Sequence, residues 1–256
     1  MAVETGWAAE HVFSIIINRP DARNAVNHDV AVGIEEALDK FEADQSAWVA
    51  ILSGNGKNFS AGADLKEISA GKVNTLRTER GGFAGIVARK RTKPLIAAVH
   101  GPTLAGGCEI ALACDLIVAS RSAFFGVPEV KRSLVAGAGG LYRLPRILPR
   151  NVATELILTG DPISAERAYE LGMVNALAED SELSEVALAM AKRIAVNAPL
   201  AVQASLQVTR QANSGKSDEE LLRMSQAALA ELSQTQDFQE GPKAFLEKRA
   251  PRWIGA

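Results

Sequence analysis

Short apolar runs rich in β-branched residues alternate with longer amphipathic segments through the first half of the chain. The run HVFSIIIN is followed by HDVAVGIEEALDKFEAD, whose apolar positions recur at helical spacing, and then by AWVAILSG. Two further runs, PLIAAV and DLIVAS, are almost wholly apolar, and a helix is predicted to begin near Gly106 between them. This alternation predicts an α/β domain in which the strands are covered on both faces of the sheet.

The chain from Ser181 onward carries only helical patterns. Four segments have apolar residues at helical spacing: ELSEVALAMAKRIAV, PLAVQASLQVTRQA, SDEELLRMSQAALAELSQ and DFQEGPKAFLEKRA. The third begins with two acids, Asp218 and Glu219, which are favourable beside the positive end of a helix. We therefore expect an α/β core over residues 1–197 and a helical region over residues 198–256.

Composition restricts the classes of partner. Of 256 residues, 47% are hydrophobic and 23% are charged, and the formal net charge is −2. This balance gives no reason to expect nucleic acid or an anionic membrane surface, so a small molecule is the favoured partner. No apolar run is long enough for a membrane span, because PLIAAVHGPTLAGG is interrupted by His100, Gly101 and Pro102.

The cysteines and the N-terminal segment indicate the compartment. Cys108 and Cys114 lie six residues apart on one predicted helix, a spacing that does not place the thiols face to face for a disulfide. A reducing compartment is the simpler inference. The N-terminal segment has an early acid and lacks the basic and apolar regions of a signal peptide, so we expect a cytoplasmic protein.

Two acidic residues twenty positions apart stand in apolar, glycine-rich surroundings. Glu109 lies in LAGGCEIALACD and Glu129 lies in FFGVPEVKRS. Withdrawing an ionised carboxylate from water costs several kcal/mol, so such residues are usually paired or used in chemistry. Each also has a plainer interpretation, Glu109 as an acid favoured by a helix dipole and Glu129 as a solvated loop residue after Pro128. Together they predict acid–base chemistry on a carbonyl substrate.

Two glycine-containing turns predict exposed backbone N–H groups. FSAGADLKE turns directly into a helix that starts around Asp64, which leaves the Ala63 N–H available to a ligand oxygen. AGGCE repeats the arrangement, with Gly106 and Gly107 opening the next helix. Two such amides that converge on one oxygen would form an oxyanion hole, although a plain strand-to-helix loop with Gly62 as its left-handed residue also explains the first turn.

Cofactor and metal motifs are incomplete. SGKSD lacks the first glycine of a phosphate-binding loop, because Arg210 stands there, and GAGGLY has Tyr142 in place of the last glycine of a dinucleotide-binding turn. The three histidines are scattered, with neither HExxH nor a Cys/His cluster. We therefore predict no cofactor and no metal.

Six basic residues fall within seventeen positions. They are Arg77, Arg80, Arg89, Lys90, Arg91 and Lys93. A solvated helix face is the leading interpretation, and a phosphate-binding patch for a nucleotide-bearing substrate is the second. Nucleic-acid binding ranks third, because no aromatic residues are interleaved for base stacking.

Several spaced segments together resemble the enoyl-CoA hydratase/isomerase (crotonase) superfamily. They run from INRPDARNAV through FSAGADLKE, KPLIAAVHGPTLAGGCEIALACDLIVAS, FGVPE and GAGGLYRLPRILP to GPKAFLEKRAP. The resemblance implies an α/β, crotonase-like spiral of ββα units with a C-terminal helical trimerisation region, and a homo-oligomer that is a trimer or a hexamer. It also implies an acyl-CoA thioester as the partner, in which coenzyme A enters as part of the substrate.

The same resemblance implies roles for individual residues. Glu109 and Glu129 are similar to the family's two catalytic glutamates, and the amides of Ala63 and Gly106 are similar to its oxyanion hole. Phe83 is expected to border the acyl pocket. Contacts to coenzyme A are implied for Ala22, Arg23, Ala25, Ala61, Asp64, Leu65, Phe245 and Lys248.

Two positions depart from the family's pattern. Ala105 replaces the first of three glycines before Glu109, which is expected to keep the oxyanion amide but to affect where the helix starts. Ala136 stands where many members have proline. Neither departure removes the pair of glutamates.

The resemblance is closest to hydratases, because both glutamates are present. The expected reaction is the reversible addition of water to a trans-2-enoyl-CoA, giving a 3-hydroxyacyl-CoA. Within the superfamily, a specialised dehydratase acting on carnitinyl-CoA and an isomerase that moves the double bond remain alternatives, and fatty-acid β-oxidation is the default pathway. A non-catalytic acyl-CoA-binding or RNA-binding protein is the more remote alternative. Which glutamate acts as acid and which as base stays open.

Overall fold

Eleven β-strands and ten α-helices make up the computed structural model, which describes residues 1–256. The strands are Val3–Ala9 (β1), Val12–Ile17 (β2), Val49–Gly54 (β3), Arg77–Thr78 (β4), Gly82–Phe83 (β5), Leu95–Val99 (β6), Pro102–Leu104 (β7), Leu116–Ser120 (β8), Phe124–Gly126 (β9), Ile163–Ser164 (β10) and Ala176–Ala178 (β11). The helices are His28–Ala43 (α1), Leu65–Ser69 (α2), Gly106–Ala113 (α3), Gly140–Ile147 (α4), Arg150–Thr159 (α5), Ala165–Glu170 (α6), Leu183–Ala195 (α7), Pro199–Ala212 (α8), Asp218–Leu232 (α9) and Gln236–Leu246 (α10). Short 3₁₀ helices cover Pro20–Ala22, Val73–Leu76 and Pro128–Arg132.

The strands form two main sheets that the chain visits in turn. The larger has the order β1-β2-β3-β6-β8-β11 and is parallel except between β1 and β2. The smaller has the order β10-β9-β7, and a single-residue bridge continues it from Thr103 to Ser60. Two consecutive units follow the same plan, in which one strand joins the large sheet, the next joins the small sheet and a helix follows. The first unit is β6, β7 and α3, and the second is β8, β9 and the 3₁₀ helix Pro128–Arg132. This is the predicted α/β spiral of ββα units.

Alternate residues of the large sheet enter two separate cores. On one face Val49, Ile51 and Ile96 belong to a cluster that α7 covers through Leu183 and Ala187. Their neighbours in sequence point the other way, into the larger core that also contains the buried face of α1. The prediction that these strands are covered on both sides is confirmed, since a strand buried on both faces has to be apolar at every position.

The last three helices follow α7 and lie outside the sheet. Arg210 on α8 donates to the Asp115 carboxylate at 2.9 Å, which ties this helix to the loop before β8. The Trp253 indole N–H donates to the Val196 carbonyl at 2.9 Å. The helices themselves were predicted from their periodicity, whereas the boundary at residue 197 and the trimerisation role stay predictions.

The interpretation of the basic stretch as a helix face is wrong. Residues 77–93 contain the β4–β5 hairpin and turns but no helix. Arg80 and Arg89 both pair with Asp39 of α1, and the buried Lys93 donates to the carbonyls of Phe41 and Asp44 at 2.8 and 2.7 Å. These cations therefore join the segment to α1. No helix has the length and apolar character that a membrane crossing requires.

Candidate active site

The turn that carries Ala63 presents an unused backbone N–H. Val26 bridges to this turn in parallel fashion, donating to the Gly62 carbonyl at 2.7 Å and accepting from the Asp64 N–H at 2.9 Å. Since Val26 bonds the residues on either side of Ala63, the peptide groups of Ala63 itself face away from it. The Ala63 N–H donates no hydrogen bond within the chain.

A second set of free amides lies directly against this turn. Gly106 opens α3, so its N–H is among those that have no acceptor inside the helix. A Cβ atom placed on Gly62 would lie only 2.7 Å from the Gly106 nitrogen, which shows that the two turns are in van der Waals contact. The structure therefore brings together the two turns whose amides were predicted to form an oxyanion hole.

Ala105 holds the start of α3 in a backbone conformation that favours glycine. Its φ and ψ are 52° and −130°. The conformation is fixed from both sides, because the Ala105 N–H donates to the Gly126 carbonyl at 2.9 Å and its carbonyl accepts from the Glu109 N–H at 3.2 Å. The replacement of the first glycine thus leaves the Gly106 amide at the helix start.

Phe83 lies beside the same amide. A Cβ atom on Gly106 would be 2.6 Å from two atoms of the Phe83 ring, so only glycine fits between the ring and the helix start. Phe83, which is predicted to border the acyl pocket, therefore lies next to the start of α3.

Glu109 is a buried carboxyl on the first turn of α3, with an exposed fraction of 3%. Its Oε1 accepts a hydrogen bond from the Gly140 N–H at 2.9 Å. The pKa of Glu109 is raised to about 7, chiefly by burial and in part by the charge of Glu129, whereas the N–H groups of Gly140 and Ala138 and the charge of Arg143 act in the opposite direction. Near neutral pH this carboxyl can both give and take a proton.

Glu129 lies on the 3₁₀ helix that begins at Pro128, directly after β9. Burial raises its pKa as well, while its own backbone and Arg132 favour the ionised form. Its Oε2 is buried and has no hydrogen-bond partner. The charge of Glu129 opposes ionisation of Glu109, so the two carboxyls, twenty positions apart in sequence, lie within electrostatic reach of each other.

Asn24 is a fully buried residue at this site that the sequence analysis missed. Its Nδ2 donates to the backbone carbonyls of Asn55 and Asn58 at 2.9 and 2.7 Å, and the backbone carbonyl of Asn24 accepts from the Ser60 hydroxyl at 2.8 Å. The Ser60 hydroxyl in turn accepts from the Gly62 N–H at 3.2 Å. Asn24 therefore holds the turn of Ala63. The indication available in the sequence was the asparagine within the segment INRPDARNAV.

The residues implied for coenzyme A lie in two places. Six of them lie in or directly beside two adjoining loops, which the hydrogen bond from the Ala61 N–H to the Arg23 carbonyl joins at 3.0 Å: Ala22, Arg23, Ala25, Ala61, Asp64 and Leu65. The Asp64 carboxylate is engaged by Arg19 at 3.2 Å and caps α2. Phe245 and Lys248 lie on and just after α10, and Phe245 is 83% exposed, so its ring is not covered by its own chain.

No group of three or more His, Cys, Asp or Glu side chains lies together in an arrangement that could hold a metal ion. The protic groups at the site are the two carboxyls and the free amides. This set is suited to proton transfer beside a developing oxyanion.

Comparison with known proteins identifies the class to which this fold and site belong. Residues 8–256 match the family described as Enoyl-CoA hydratase/isomerase. A crystal structure of enoyl-CoA hydratase from Mycobacterium tuberculosis H37Rv is 46% identical, covers 100% of this chain and 99% of that chain, and superimposes with a TM-score of 0.94. The carnitinyl-CoA dehydratase of Salmonella typhi is 39% identical over 250 residues, 95% of each chain. The 2,3-dehydroadipyl-CoA hydratase of Escherichia coli (strain K12) is 38% identical over 257 residues, 96% of each chain.

The chain belongs to the enoyl-CoA hydratase/isomerase family, and its fold is that of the crotonase superfamily. The resemblance that the sequence segments carried is confirmed. Membership in this family implies a CoA thioester as the substrate.

Proposed function

We propose that this protein is an enoyl-CoA hydratase, a carbon–oxygen lyase that reversibly adds water to a trans-2-enoyl-CoA. The observation that carries the proposal is the pair of carboxyls, the buried Glu109 and the half-buried Glu129, both with raised pKa, beside two turns whose backbone amides are free. Relatives named as hydratases and dehydratases support it.

The amides of Ala63 and Gly106 are assigned to the thioester oxygen. When the water oxygen bonds to C3 of the enoyl group, the electrons of the double bond move toward the thioester and negative charge builds on its oxygen as an enolate. Donors already aimed at that oxygen stabilise this charge by about 3 to 4 kcal/mol each. Because these N–H groups have no other partner, no hydrogen bond has to be broken first.

The two carboxyls are assigned to the proton transfers. One takes a proton from the attacking water and one gives a proton to C2, so that the elements of water are added across the double bond. Each such transfer contributes about 10²- to 10⁴-fold, and a pKa of about 7 for Glu109 suits either direction. The two carboxyls interact, so they titrate as a pair.

Coenzyme A is assigned to the loops that carry Arg23 and Ala61, with no separate cofactor. The exposed Phe245 and the Lys248 ammonium suit the nucleotide end of a coenzyme A bound to a neighbouring protomer, where a lysine acts as a point charge on phosphate. This assignment accords with the expected homo-oligomer, a trimer or a hexamer.

A dehydratase acting on carnitinyl-CoA is the second candidate. The name of a relative that is 39% identical favours it, and elimination of water is the reverse of the proposed reaction at the same groups. A non-catalytic RNA-binding protein has less support, because Arg89, Arg91 and Lys93 of the basic stretch are buried or half-buried and bind Asp39, Asp115 and backbone carbonyls of the chain.

The direct test is the loss of enoyl-thioester absorbance with crotonyl-CoA and with a longer 2-enoyl-CoA. The native chain is compared with Glu109→Gln and Glu129→Gln, and with Glu155→Gln as a control for an exposed glutamate on α5 that forms no ion pair. We expect rapid loss in the native and control proteins and a fall of at least about 10²-fold in the two site variants.

No loss with either substrate, in protein shown to bind coenzyme A, would refute the hydratase proposal. Elimination of water from carnitinyl-CoA by the same preparation would then establish the second candidate.

A further inference from the structure

Arg143 on α4 is a half-buried arginine that no carboxylate pairs with. Its Nη1 donates to the Ala138 carbonyl at 3.1 Å and its Nη2 donates to the Val87 carbonyl at 2.6 Å. No ion pair of the protein includes it, although a guanidinium stays charged in proteins. Withdrawing a guanidinium from water without an opposing carboxylate lowers the stability of the fold. We therefore expect the two hydrogen bonds of Arg143 to matter for the position of the segments that they join.

The first of these segments is the turn that binds Glu109. The Gly140 N–H donates to Glu109 Oε1 at 2.9 Å. A Cβ atom on Gly139 would lie 1.8 Å from the Arg143 Nη1, so the guanidinium lies directly against the peptide that precedes this donor. The position of the Gly140 N–H therefore depends on where Arg143 holds the turn.

The second segment borders the acyl pocket. Val87, whose carbonyl accepts from Arg143, lies four residues after Phe83, and the Val87 N–H donates to the Phe83 carbonyl at 3.3 Å. Phe83 in turn packs against Gly106. One planar guanidinium thus fixes the wall of the acyl pocket relative to the turn that holds the carboxyl.

The Arg143 charge also lies within electrostatic reach of Glu109, because the guanidinium is against the turn that binds Glu109 Oε1. The charged and titratable groups around this carboxyl are Glu129 on the 3₁₀ helix, Arg143 on α4 and the neighbouring Cys108 thiol on α3, whose pKa burial raises. Glu129 opposes ionisation of Glu109 and Arg143 favours it. Burial lowers the pKa of Arg143, whereas Glu109 raises it.

We propose that Arg143 is a positioning residue for the reaction: its guanidinium fixes the Ala138–Gly140 turn against the Phe83–Val87 segment and supplies the positive charge that favours ionised Glu109. The kinetic part rests on the proposed hydratase function. The effect on Glu109 ionisation does not, and it is measurable without substrate.

The test compares Arg143→Gln, which removes the charge, with Arg143→Lys, which keeps the charge but loses the planar fork. Arg146→Gln is the matched control, because Arg146 lies 5.3 Å from the Tyr142 ring that Arg143 also contacts but donates to neither segment. Values of kcat and KM are measured from about pH 5 to about pH 9 with crotonyl-CoA and a longer 2-enoyl-CoA. A substrate-free infrared titration follows the protonated carboxyl band, assigned as the band that Glu109→Gln removes.

We expect kcat at neutral pH to fall about 10- to 100-fold in Arg143→Gln, as displacement of a catalytic group by about 1 Å does. The Glu109 titration should move to higher pH in that variant, whichever protonation state the reaction uses. Arg143→Lys should lose kcat with little change in the titration, and Arg146→Gln should match the native protein. An unmoved infrared titration in Arg143→Gln, or a native kcat, would overturn the proposal. An inactive native chain would refute the hydratase function instead, while the infrared comparison would still decide the role of Arg143.

Discussion

Replacing Glu109 by glutamine should remove activity and at the same time stabilise the fold above neutral pH. Glutamine has nearly the volume of a protonated glutamate, and its amide oxygen can still accept from the Gly140 N–H. What it cannot do is ionise. The substitution therefore isolates the energetic consequence of keeping a buried carboxylate at this position.

The magnitude follows from the pKa of Glu109. Its value is about 7 in place of the ordinary 4.5, because burial opposes ionisation. Each pKa unit corresponds to about 1.4 kcal/mol, so ionising Glu109 is about 3 kcal/mol less favourable in the folded chain than in the unfolded chain. Between pH 4.5 and about pH 7 the folded chain binds more protons, and the free energy of unfolding falls as pH rises through this window.

The assay is urea unfolding of the native protein and of Glu109→Gln at about pH 5 and about pH 8, at one protein concentration because assembly contributes to apparent stability. The variant should be more stable by about 3 kcal/mol at the higher pH and by about 1 kcal/mol at the lower. Glu155→Gln, at an exposed position on α5, should show no such difference. A stability change in Glu109→Gln that is equal at both pH values would refute the reasoning, since the carboxyl would then ionise equally in both states.

Two further predictions concern backbone strain and a buried ion cluster. Ala105→Gly should raise the free energy of unfolding, measured by urea titration, by about 1 kcal/mol. The variant relieves about 1 to 3 kcal/mol of backbone strain at φ 52°, which exceeds the cost of the greater conformational entropy of glycine in the unfolded chain. A fall in the free energy of unfolding would show that this backbone is unstrained. Asp115→Asn should destabilise by about 3 to 5 kcal/mol, measured in the same way, because it leaves Arg91 and Arg210 without their shared carboxylate; a loss below about 1 kcal/mol would show that water replaces it.

The strands that the sequence predicted are those made almost wholly of apolar residues. Alternate residues of β6 and β8 pack into the two cores, so the burial of both strands can be predicted from their apolar residues alone. β1 was not predicted, because it is an edge strand whose middle residues, including Trp7, are exposed and partly polar. The helices of the C-terminal region were predicted because each keeps an apolar stripe, and capping residues such as Ser217 mark their starts.

The two glycine-containing turns and the two glutamates could be predicted from sequence for a local reason. A glycine at the start of a helix and an acid among apolar neighbours can each be recognised from a few residues of sequence. Gly62 confirms this, since its φ of 82° and its contact with Gly106 leave no space for a side chain. What the local pattern could not give is the distance between Glu109 and Glu129, because the fold alone brings their segments together.

The polar residues that arrange the site escaped the sequence because their partners are backbone carbonyls far along the chain. Arg143 binds Val87, 56 positions away, and Asn24 binds Asn58, 34 positions away. A sequence records which side chains can donate but not which carbonyls the fold leaves without a partner. The same limitation made all of the basic stretch look solvated, although the largely covered Arg89 meets its acid, Asp39, 50 positions away. An excess of basic residues in a short stretch of sequence therefore indicates solvent exposure only where the opposing acids are near in sequence. A cation that is buried among apolar residues, like a buried acid, indicates a specific partner elsewhere in the fold.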